Sequence, residues 1–374
     1  MKPGKPSAGR PRQSNFELLR LLSMLAIVLG HMFTEGRLLA YAQGPALYIS
    51  TWLGCGARLA TNLFVLLGAW FLVEATRPGT SAFAPGRRWW RLHFEVLCWT
   101  VPLTLVALAM GARPSPMDTA QSFLPYLGRP LWFASAWLSL LLLVPFLRHA
   151  LALDRRQLGA LVAVGGVVLV GNSTLADLRE GYLTDIGWFL YLYLLVGWLR
   201  LHAPAWLRRI PGPAALAGGL ALYAAMVLPE AWARANLDLH PTMAPAVHHL
   251  ADWYLADIKS LPNALAALGI FGFFVKLDLG CIRWLNAAAR PAFAVYVAHQ
   301  VPAFWPLLWT RLVHCPAWRG RPWTPLAAIG VALSLYVAIA LLETARRRWL
   351  EPHWLRSRPF ATLAHALDRF VGAS

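Results

Sequence analysis

Apolar stretches of about 20 residues recur along the chain, separated by short polar segments. An α-helix needs about 20 apolar residues to cross the hydrocarbon core of a bilayer, so each stretch predicts a membrane-spanning helix. About ten such helices are predicted, at approximately 16–34, 52–73, 90–111, 131–148, 157–171, 183–200, 213–229, 260–276, 289–311 and 324–343. The fifth stretch is short and could be tilted or partly re-entrant.

The positive charges between these stretches predict an orientation. With the N-terminus placed in the cytoplasm, 23 of the 34 Lys and Arg residues fall in inner segments and 9 in outer segments. The other two, Arg20 and Arg58, fall within predicted helices. Lys and Arg are enriched in the cytoplasmic segments of membrane proteins. The sequence therefore predicts an all-α integral membrane protein, a bundle of about ten transmembrane helices with both termini inside.

The composition supports the membrane class. The 374 residues are 58% hydrophobic and 14% charged, with a mean hydropathy of +0.50, whereas soluble domains carry about 25% charged residues. The net charge of +17 lies in short loops rather than on one face of a soluble domain, which excludes nucleic acid as a partner. We predict a disordered basic cytoplasmic tail (1–14), a transmembrane domain (15–350) and a cytoplasmic C-terminal tail (351–374).

The first predicted helix, "NFELLRLLSMLAIVLGHMF" (15–33), carries the ionisable residues Glu17, Arg20 and His31. At 100° per residue, Arg20 and His31 lie about 20° apart around the helix axis and about 16.5 Å apart along it. Glu17 lies about 40° from His31 on the same side. An ionisable side chain that faces lipid costs several kcal/mol, so this stripe is expected to face the bundle interior or a wet cavity.

Two interpretations of the stripe remain open at this point. In one, it lines a path across the membrane, where Arg20 binds a phosphate near the cytoplasmic face and His31 accepts a proton near the outer face. In the other, the three groups are structural: Arg20 reaches the lipid headgroups, Glu17 pairs with it, and His31 caps a helix end.

Six sequence blocks, in a fixed order, carry a resemblance. They are "ELLRLLSMLAIVLGH" (17–31), "TNLFVLLGAWFL" (61–72), "RRWWRLH" (87–93), "LWFASAWLSLLLLVP" (131–145), "AFAVYVAHQ" (292–300) and "LLETARRRWL" (341–350). In order and spacing they resemble the membrane acyltransferase-3 family, in which an Arg precedes a His by eleven positions on the first helix. Two departures stand out: Gly68 and Ala69 replace a frequent Ser-Gly pair, and Gln300 replaces a frequent Pro.

The resemblance implies a membrane O-acyltransferase in the cytoplasmic (inner) membrane of a bacterium. It implies transfer of an acyl group, acetyl before succinyl, from cytoplasmic acyl-CoA to a hydroxyl of an exopolysaccharide, a cell-surface glycan or its lipid-linked precursor. Acetyl-CoA is then the donor substrate, and no bound cofactor is expected. The implied partners are acyl-CoA, a glycan or lipid-linked oligosaccharide acceptor, the lipid bilayer and a polysaccharide-synthesis complex.

The implied chemistry assigns roles to the cationic residues. Arg20, Arg88 and Arg91 are expected to gather at the cytoplasmic end of the first three helices and to bind the phosphates of acyl-CoA. Anchoring to the inner membrane surface is the alternative for this cluster. His31 is expected either to take the proton of the acceptor hydroxyl or to carry the acyl group itself.

Further residues are expected to support the site or its acceptor side: Glu17, Asn62, Trp132 and His299. Glu17 would orient Arg20. Asn62 would hydrogen-bond His31 or the acceptor, or else join two helices. His299 would line the site as a structural residue, with a role as a second base as the less favoured alternative.

Two other functional classes compete with acyl transfer. A transporter or flippase could use the ionisable stripe to guide protons or a polar solute, and a non-catalytic partner in polysaccharide assembly would tolerate the loss of His31. The segment "HALALD", His149 to Asp154, matches the H-x4-D signature of glycerolipid acyltransferases but lacks the rest of that family's context. The segment "HHLADWY" (248–254) is a weak metal pattern, and no metal is expected.

Overall fold

The computed structural model describes residues 13–80, 83–124, 131–171, 182–251 and 257–372, and it is helical without a β-strand in these ranges. Most of the predicted N-terminal tail lies outside the described residues. In chain order the helices are α1 (Ser14–Glu35), α2 (Gly44–Thr76), α3 (Gly86–Ala109), α4 (Pro116–Phe123), α5 (Trp132–Ala150), α6 (Arg155–Gly165), α7 (Tyr182–His202), α8 (Ala205–Arg209), α9 (Gly212–Ala235), α10 (Met243–Leu250), α11 (Leu261–Lys276), α12 (Arg283–Ala288), α13 (Ala292–His299), α14 (Trp305–Leu307), α15 (Thr324–Trp349), α16 (Glu351–Arg356) and α17 (Arg358–Phe370).

Six helical segments of the described residues are long and apolar enough to cross a bilayer. They are α1, α2, α3, α5, α9 and the continuous stretch of α15 and α16. The predicted helices at 183–200 and 260–276 coincide with α7 and the shorter α11. The predicted helix at 157–171 is α6 followed by a π-helical turn, Gly166–Gly171. The all-α class and the multi-pass pattern are therefore confirmed.

The predicted helix at 289–311 is broken in the structure. Helix α13 ends at His299, and the chain resumes as α14 and a π-helical turn, Leu308–Leu312. Pro302 explains the break, because proline donates no backbone hydrogen bond and disfavours helical geometry at the residue before it. The break leaves His299 and Gln300 at a helix end that is buried inside the bundle.

Helix α1 lies at the centre of the bundle. It packs along α2 and also contacts α11, α12, α13 and α15. Its N-terminal end is anchored by hydrogen bonds: Ser14 donates from Oγ to Asn286 Oδ1 at 2.8 Å, and Asn15 donates from Nδ2 to the Phe274 carbonyl at 2.7 Å. These contacts fix the rotation of α1, so its ionisable stripe faces a defined side of the bundle.

The chain after residue 350, predicted as a tail, instead forms α16 and α17 in the described residues, and α17 packs against α3. Phe360, Ala364 and Asp368 recur every four residues, lie on one face and are buried. Asp368 Oδ1 accepts the backbone N–H of Gly86 at 2.7 Å and so caps the start of α3. The absence of a side chain at Gly86 permits this contact, because a Cβ atom there would lie 2.8 Å from that oxygen.

Candidate active site

His31 and His299 form a pair of imidazoles between α1 and α13. His31 Nδ1 lies 2.8 Å from His299 Nε2, and the ring centroids are 5.1 Å apart. The other nitrogen of His299, Nδ1, lies 2.6 Å from the carbonyl oxygen of Val295. His299 is fully buried, whereas His31 is partly exposed.

For two neutral rings, the contacts with Val295 and between the imidazoles assign the ring protons. A carbonyl oxygen only accepts, so His299 Nδ1 must be the donor to Val295. A neutral His299 then presents its Nε2 lone pair, and His31 must donate to it from Nδ1. His31 Nε2 is left with a free lone pair, as a proton acceptor or nucleophile requires.

A carboxylate lies on the far side of His31. Glu35, four residues further along α1, accepts hydrogen bonds from Gln300 Nε2 at 3.1 Å and from Trp309 Nε1 at 2.8 Å. Gln300 Nε2 also lies 3.1 Å from His31 Nδ1, a contact between two donors in this assignment. Gln300 therefore lies between the carboxyl group of Glu35 and the imidazole of His31.

A small cavity, called the aromatic cavity below, lies beside His31. Its lining residues are Met24, Ile27, His31, Thr61, Phe64, Trp132, Phe133 and Tyr296. The centre of a water-sized sphere can move within ≈ 20 Å³ of this cavity. A single water molecule needs about 10–15 Å³ on the same measure. The space next to His31 therefore holds a group of only a few atoms.

A larger cavity, called the basic cavity below, opens at the other end of α1. It measures ≈ 490 Å³, and its lining includes five arginines and one carboxylate: Arg20, Arg88, Arg91, Arg290, Arg347 and Glu95. The cationic residues predicted to act together, Arg20, Arg88 and Arg91, are therefore brought to one cavity. Three of the five arginines are paired with carboxylates, and the positive charge that remains suits a ligand with phosphate groups.

Ion pairs between arginines and buried carboxylates hold the rim of the basic cavity. Arg91 pairs with Glu351 at 2.5 Å, and Arg347 pairs with Glu95 at 3.3 Å. Arg346 lies behind them and bonds both Glu343, at 2.8 Å, and Glu351, at 3.0 Å. The start of α16 thereby positions an arginine of α3 at the cavity.

The two cavities are stacked along the same four helices. Helices α1, α2, α5 and α13 each contribute residues to both of them. Each helix has one residue of a pair in the basic cavity and the other in the aromatic cavity. With the basic-cavity residue first, the pairs are Arg20 and His31 on α1, Gly68 and Phe64 on α2, Trp137 and Phe133 on α5, and Phe293 and Tyr296 on α13. From the basic cavity to the aromatic cavity, the residue numbers rise along α1 and α13 and fall along α2 and α5. This is expected when the two pairs of helices run antiparallel.

The predicted supporting residues are placed as follows. Glu17 pairs with Arg20 at 2.6 Å, and Trp132 lines the aromatic cavity. Asn62 does not contact His31: it donates to the Ile258 carbonyl at 2.7 Å and accepts from Trp188 Nε1 at 2.8 Å. Its amide is used in joining α2 to α7 and to the segment before α11. Asn62 therefore joins helices, which is the second of the two roles expected for it.

Sequence analysis missed Glu35 and Gln300. A spacing of four residues places Glu35 on the same face of α1 as His31, so this pair could have been found from the helix period. Gln300 follows His299 directly, but its approach to α1 depends on the break after α13. In the described residues no group of three or more His, Cys, Asp and Glu side chains is arranged to hold a metal ion. Asp252, part of the weak metal pattern, lies outside the described residues.

Comparison with known families gives one match. The family model of acyltransferase-3, described as an acyltransferase domain, matches residues 13–343. No curated protein matches the chain, and no solved structure does. The matched range contains His31, His299 and four of the five arginines of the basic cavity; Arg347 lies just beyond it.

Proposed function

Because the chain belongs to the acyltransferase-3 family, we propose that it transfers an acetyl group from cytoplasmic acetyl-CoA to a glycan hydroxyl. The acceptor is an exopolysaccharide, a cell-surface glycan or its lipid-linked precursor, presented at the outer face of a bacterial cytoplasmic membrane. The chain would act there within a polysaccharide-synthesis complex. A multi-pass membrane protein with a site inside its helical bundle is the setting that this reaction needs.

One observation carries the proposal: the basic cavity and the aromatic cavity follow one another along α1, with arginines at one end and His31 at the other. Arg20 and His31 are about 16.5 Å apart along the helix. An extended donor with phosphates at one end and a thioester at the other would fit this arrangement. The phosphates would bind the arginines, and the thioester would reach His31.

The proposed chemistry uses the lone pair of His31 Nε2. The acceptor hydroxyl oxygen attacks the thioester carbonyl carbon while His31 Nε2 takes the hydroxyl proton. The C–S bond then breaks, and the departing CoA thiolate recovers the proton from His31. His299 Nε2 accepts the Nδ1 proton throughout, and Glu35 favours the transient imidazolium, so both are positioning residues.

The size of the aromatic cavity favours acetyl over succinyl. A succinyl group carries two more carbons and a carboxylate, which would meet the side chains of Phe64, Trp132 and Phe133. Burying an unpaired carboxylate against aromatic rings is strongly unfavourable. An acetyl group adds only a methyl and a carbonyl, a group of the few atoms that this small cavity can hold.

Membranes that contain the protein should therefore incorporate label from acetyl-CoA into an alkali-labile ester on a glycan fraction. The rate with succinyl-CoA should be lower on the order of tenfold or more, since pockets discriminate by about this much per misfit group. Membranes without the protein are the control. Absence of glycan ester formation with folded protein present would contradict the proposal, and uptake of a solute without ester formation would support a transporter instead.

The proposed orientation has both ends of the chain in the cytoplasm and about ten membrane spans. The arginines of the basic cavity then open to the compartment that supplies acyl-CoA. Cys281, between α11 and α12, is exposed and lies on the same side. Cys315, toward the outer side, is buried, and this burial raises the pKa of its thiol to about 11, so it reacts slowly at neutral pH.

A variant that keeps Cys281 and replaces the other three cysteines by alanine tests this orientation. In spheroplasts, a membrane-impermeant maleimide should leave Cys281 unlabelled and should label it after permeabilisation. A cysteine-free variant carrying Arg113→Cys, at an exposed position of the opposite side, should be labelled without permeabilisation. Labelling of Cys281 in intact spheroplasts would reverse the proposed orientation.

A further inference from the structure

Gly68 and Trp137 lie where the basic cavity ends and the aromatic cavity begins. On α2, Phe64 lines the aromatic cavity, and Gly68, one turn further, lines the basic cavity. On α5, Phe133 lines the aromatic cavity, and Trp137, one turn further, lines the basic cavity. A step of four residues is about 6 Å along a helix, so this pair occupies the narrow level between the two spaces.

The indole of Trp137 occupies the room that a side chain at position 68 would need. An ideal Cβ atom built on Gly68 would lie 2.9 Å from Trp137 Cζ3 and 3.0 Å from Cζ2, and closer still to Cη2. Cβ atoms do not approach other heavy atoms within about 3.0 Å. Any side chain at this position must therefore push the indole away from α2.

The indole has limited freedom to yield. Trp137 also meets the ring of Phe189 edge to face, at 6.3 Å between centroids. Trp137 is only partly buried, and its remaining surface faces the basic cavity. An indole that is pushed from Gly68 would therefore move into the basic cavity, which Trp137 lines, since packed aromatic rings do not compress.

We propose that Gly68 and Trp137 form the passage by which the pantetheine arm of the donor reaches His31, and that their fit sets its width. This inference rests on the proposed function, because it requires an acyl-CoA donor. The phosphates of such a donor stay with the arginines, and its thin, flexible arm is the part that can enter a narrow opening. The passage is a specificity determinant: it admits the arm and its small acyl group.

The test compares two nucleotide ligands, one without the pantetheine arm and one with it. Adenosine 3′,5′-bisphosphate carries phosphates without pantetheine, whereas desulfo-CoA carries both and has no thiol. Binding of each to the purified full-length protein is measured for wild type and Gly68→Ser. We expect Gly68→Ser to weaken desulfo-CoA binding on the order of tenfold and to leave bisphosphate binding unchanged. The rate of transfer from acetyl-CoA should fall by a similar factor.

Two further variants separate this role from helix packing. Trp137→Phe in the Gly68→Ser background makes room again, so desulfo-CoA binding should return to within about threefold of wild type, a coupling that contacting residues show. Gly218→Ser on α9, where a Cβ atom would meet no neighbour within 4 Å, is the matched glycine control. It should change neither ligand.

The possible contrary results are distinct. Unchanged desulfo-CoA binding in Gly68→Ser would overturn the passage. Equal loss of both ligands, not restored by Trp137→Phe, would also overturn it and would assign the pair to helix packing. Failure of the proposed function has a separate signature, since wild-type protein would then bind neither CoA ligand and would form no ester.

Discussion

His31→Ala should reduce glycan ester formation by about 10²–10⁴-fold, the usual contribution of a positioned general base. In the tautomer assigned from the contacts with Val295 and His299, the Nε2 lone pair of His31 is free, and no group at this position replaces it in the variant. The measurement is ester content of the glycan fraction after reaction with labelled acetyl-CoA, with wild type and variant present in the membrane at equal amounts.

His149→Ala is the control for this variant. His149 is exposed and remote from both cavities, and it is the histidine of the H-x4-D segment. Its loss should leave transfer unchanged. Normal transfer in His31→Ala would remove His31 from the reaction, and loss of transfer in His149→Ala alone would support the H-x4-D segment. Stable label on wild-type protein in the absence of acceptor, lost in His31→Ala, would show that His31 carries the acyl group.

The role of His299 predicts a smaller, graded effect. His299→Leu removes the acceptor for the Nδ1 proton of His31, a hydrogen bond to a group that becomes charged. Such bonds contribute about 1.5–3 kcal/mol, which corresponds to about 10- to 150-fold in rate. His299→Gln keeps an acceptor oxygen and should retain more activity than His299→Leu. Equal loss in both variants would mean that His299 serves packing alone.

Arg88→Ala should lower kcat/KM for acetyl-CoA by about 10- to 150-fold, mainly through KM, because a charge-assisted bond to phosphate contributes about 1.5–3 kcal/mol. The Arg88 guanidinium lines the basic cavity and lies 4.6 Å from the ring centroid of Phe83. This contact holds the guanidinium in place before the donor arrives. Steady-state transfer at varied acetyl-CoA concentration measures the effect.

S-acetylpantetheine, which lacks the nucleotide phosphates, distinguishes phosphate binding from a general defect. Its slow transfer should be the same in wild type and Arg88→Ala. Arg87→Ala is the matched control, since Arg87 stacks on Phe360, 5.2 Å from its ring centroid, and does not line the cavity. If Arg88→Ala slowed both donors equally, the arginine would be structural and the phosphates would bind elsewhere.

Sequence reasoning predicted the parts of the site that lie on one continuous helix. The relation between Arg20 and His31 follows from the helix period alone, because α1 is regular from Ser14 to Glu35. The arginines at positions 88 and 91, three residues apart in the first two turns of α3, share one face for the same reason. Helix periodicity therefore predicted that Arg20 and His31 lie on one face of α1 and that Arg88 and Arg91 lie on one face of α3.

Residues that depend on breaks and long-range packing were not predicted. Gln300 reaches Glu35 only because α13 stops at His299, and an apolar run from 289 to 311 does not show where a helix stops. Of the two roles left open for Asn62, the structure shows the interhelical contact; its partners on α7 and before α11 could not be predicted because they are far away in sequence. Helix α17 was predicted as tail because amphipathic spacing does not reveal which surface a helix covers.

The cap on α3 also affects when the protein can become active during its synthesis. Gly86 and Asp368 are separated by 282 positions, and a ribosome adds about 5–20 residues per second, so about 14–56 s pass between them. During that interval α3 is already made, but its N-terminus lacks its carboxylate cap. Completion of the basic cavity, which Arg88 and Arg91 of α3 line together with Arg347, therefore waits for the last part of the chain.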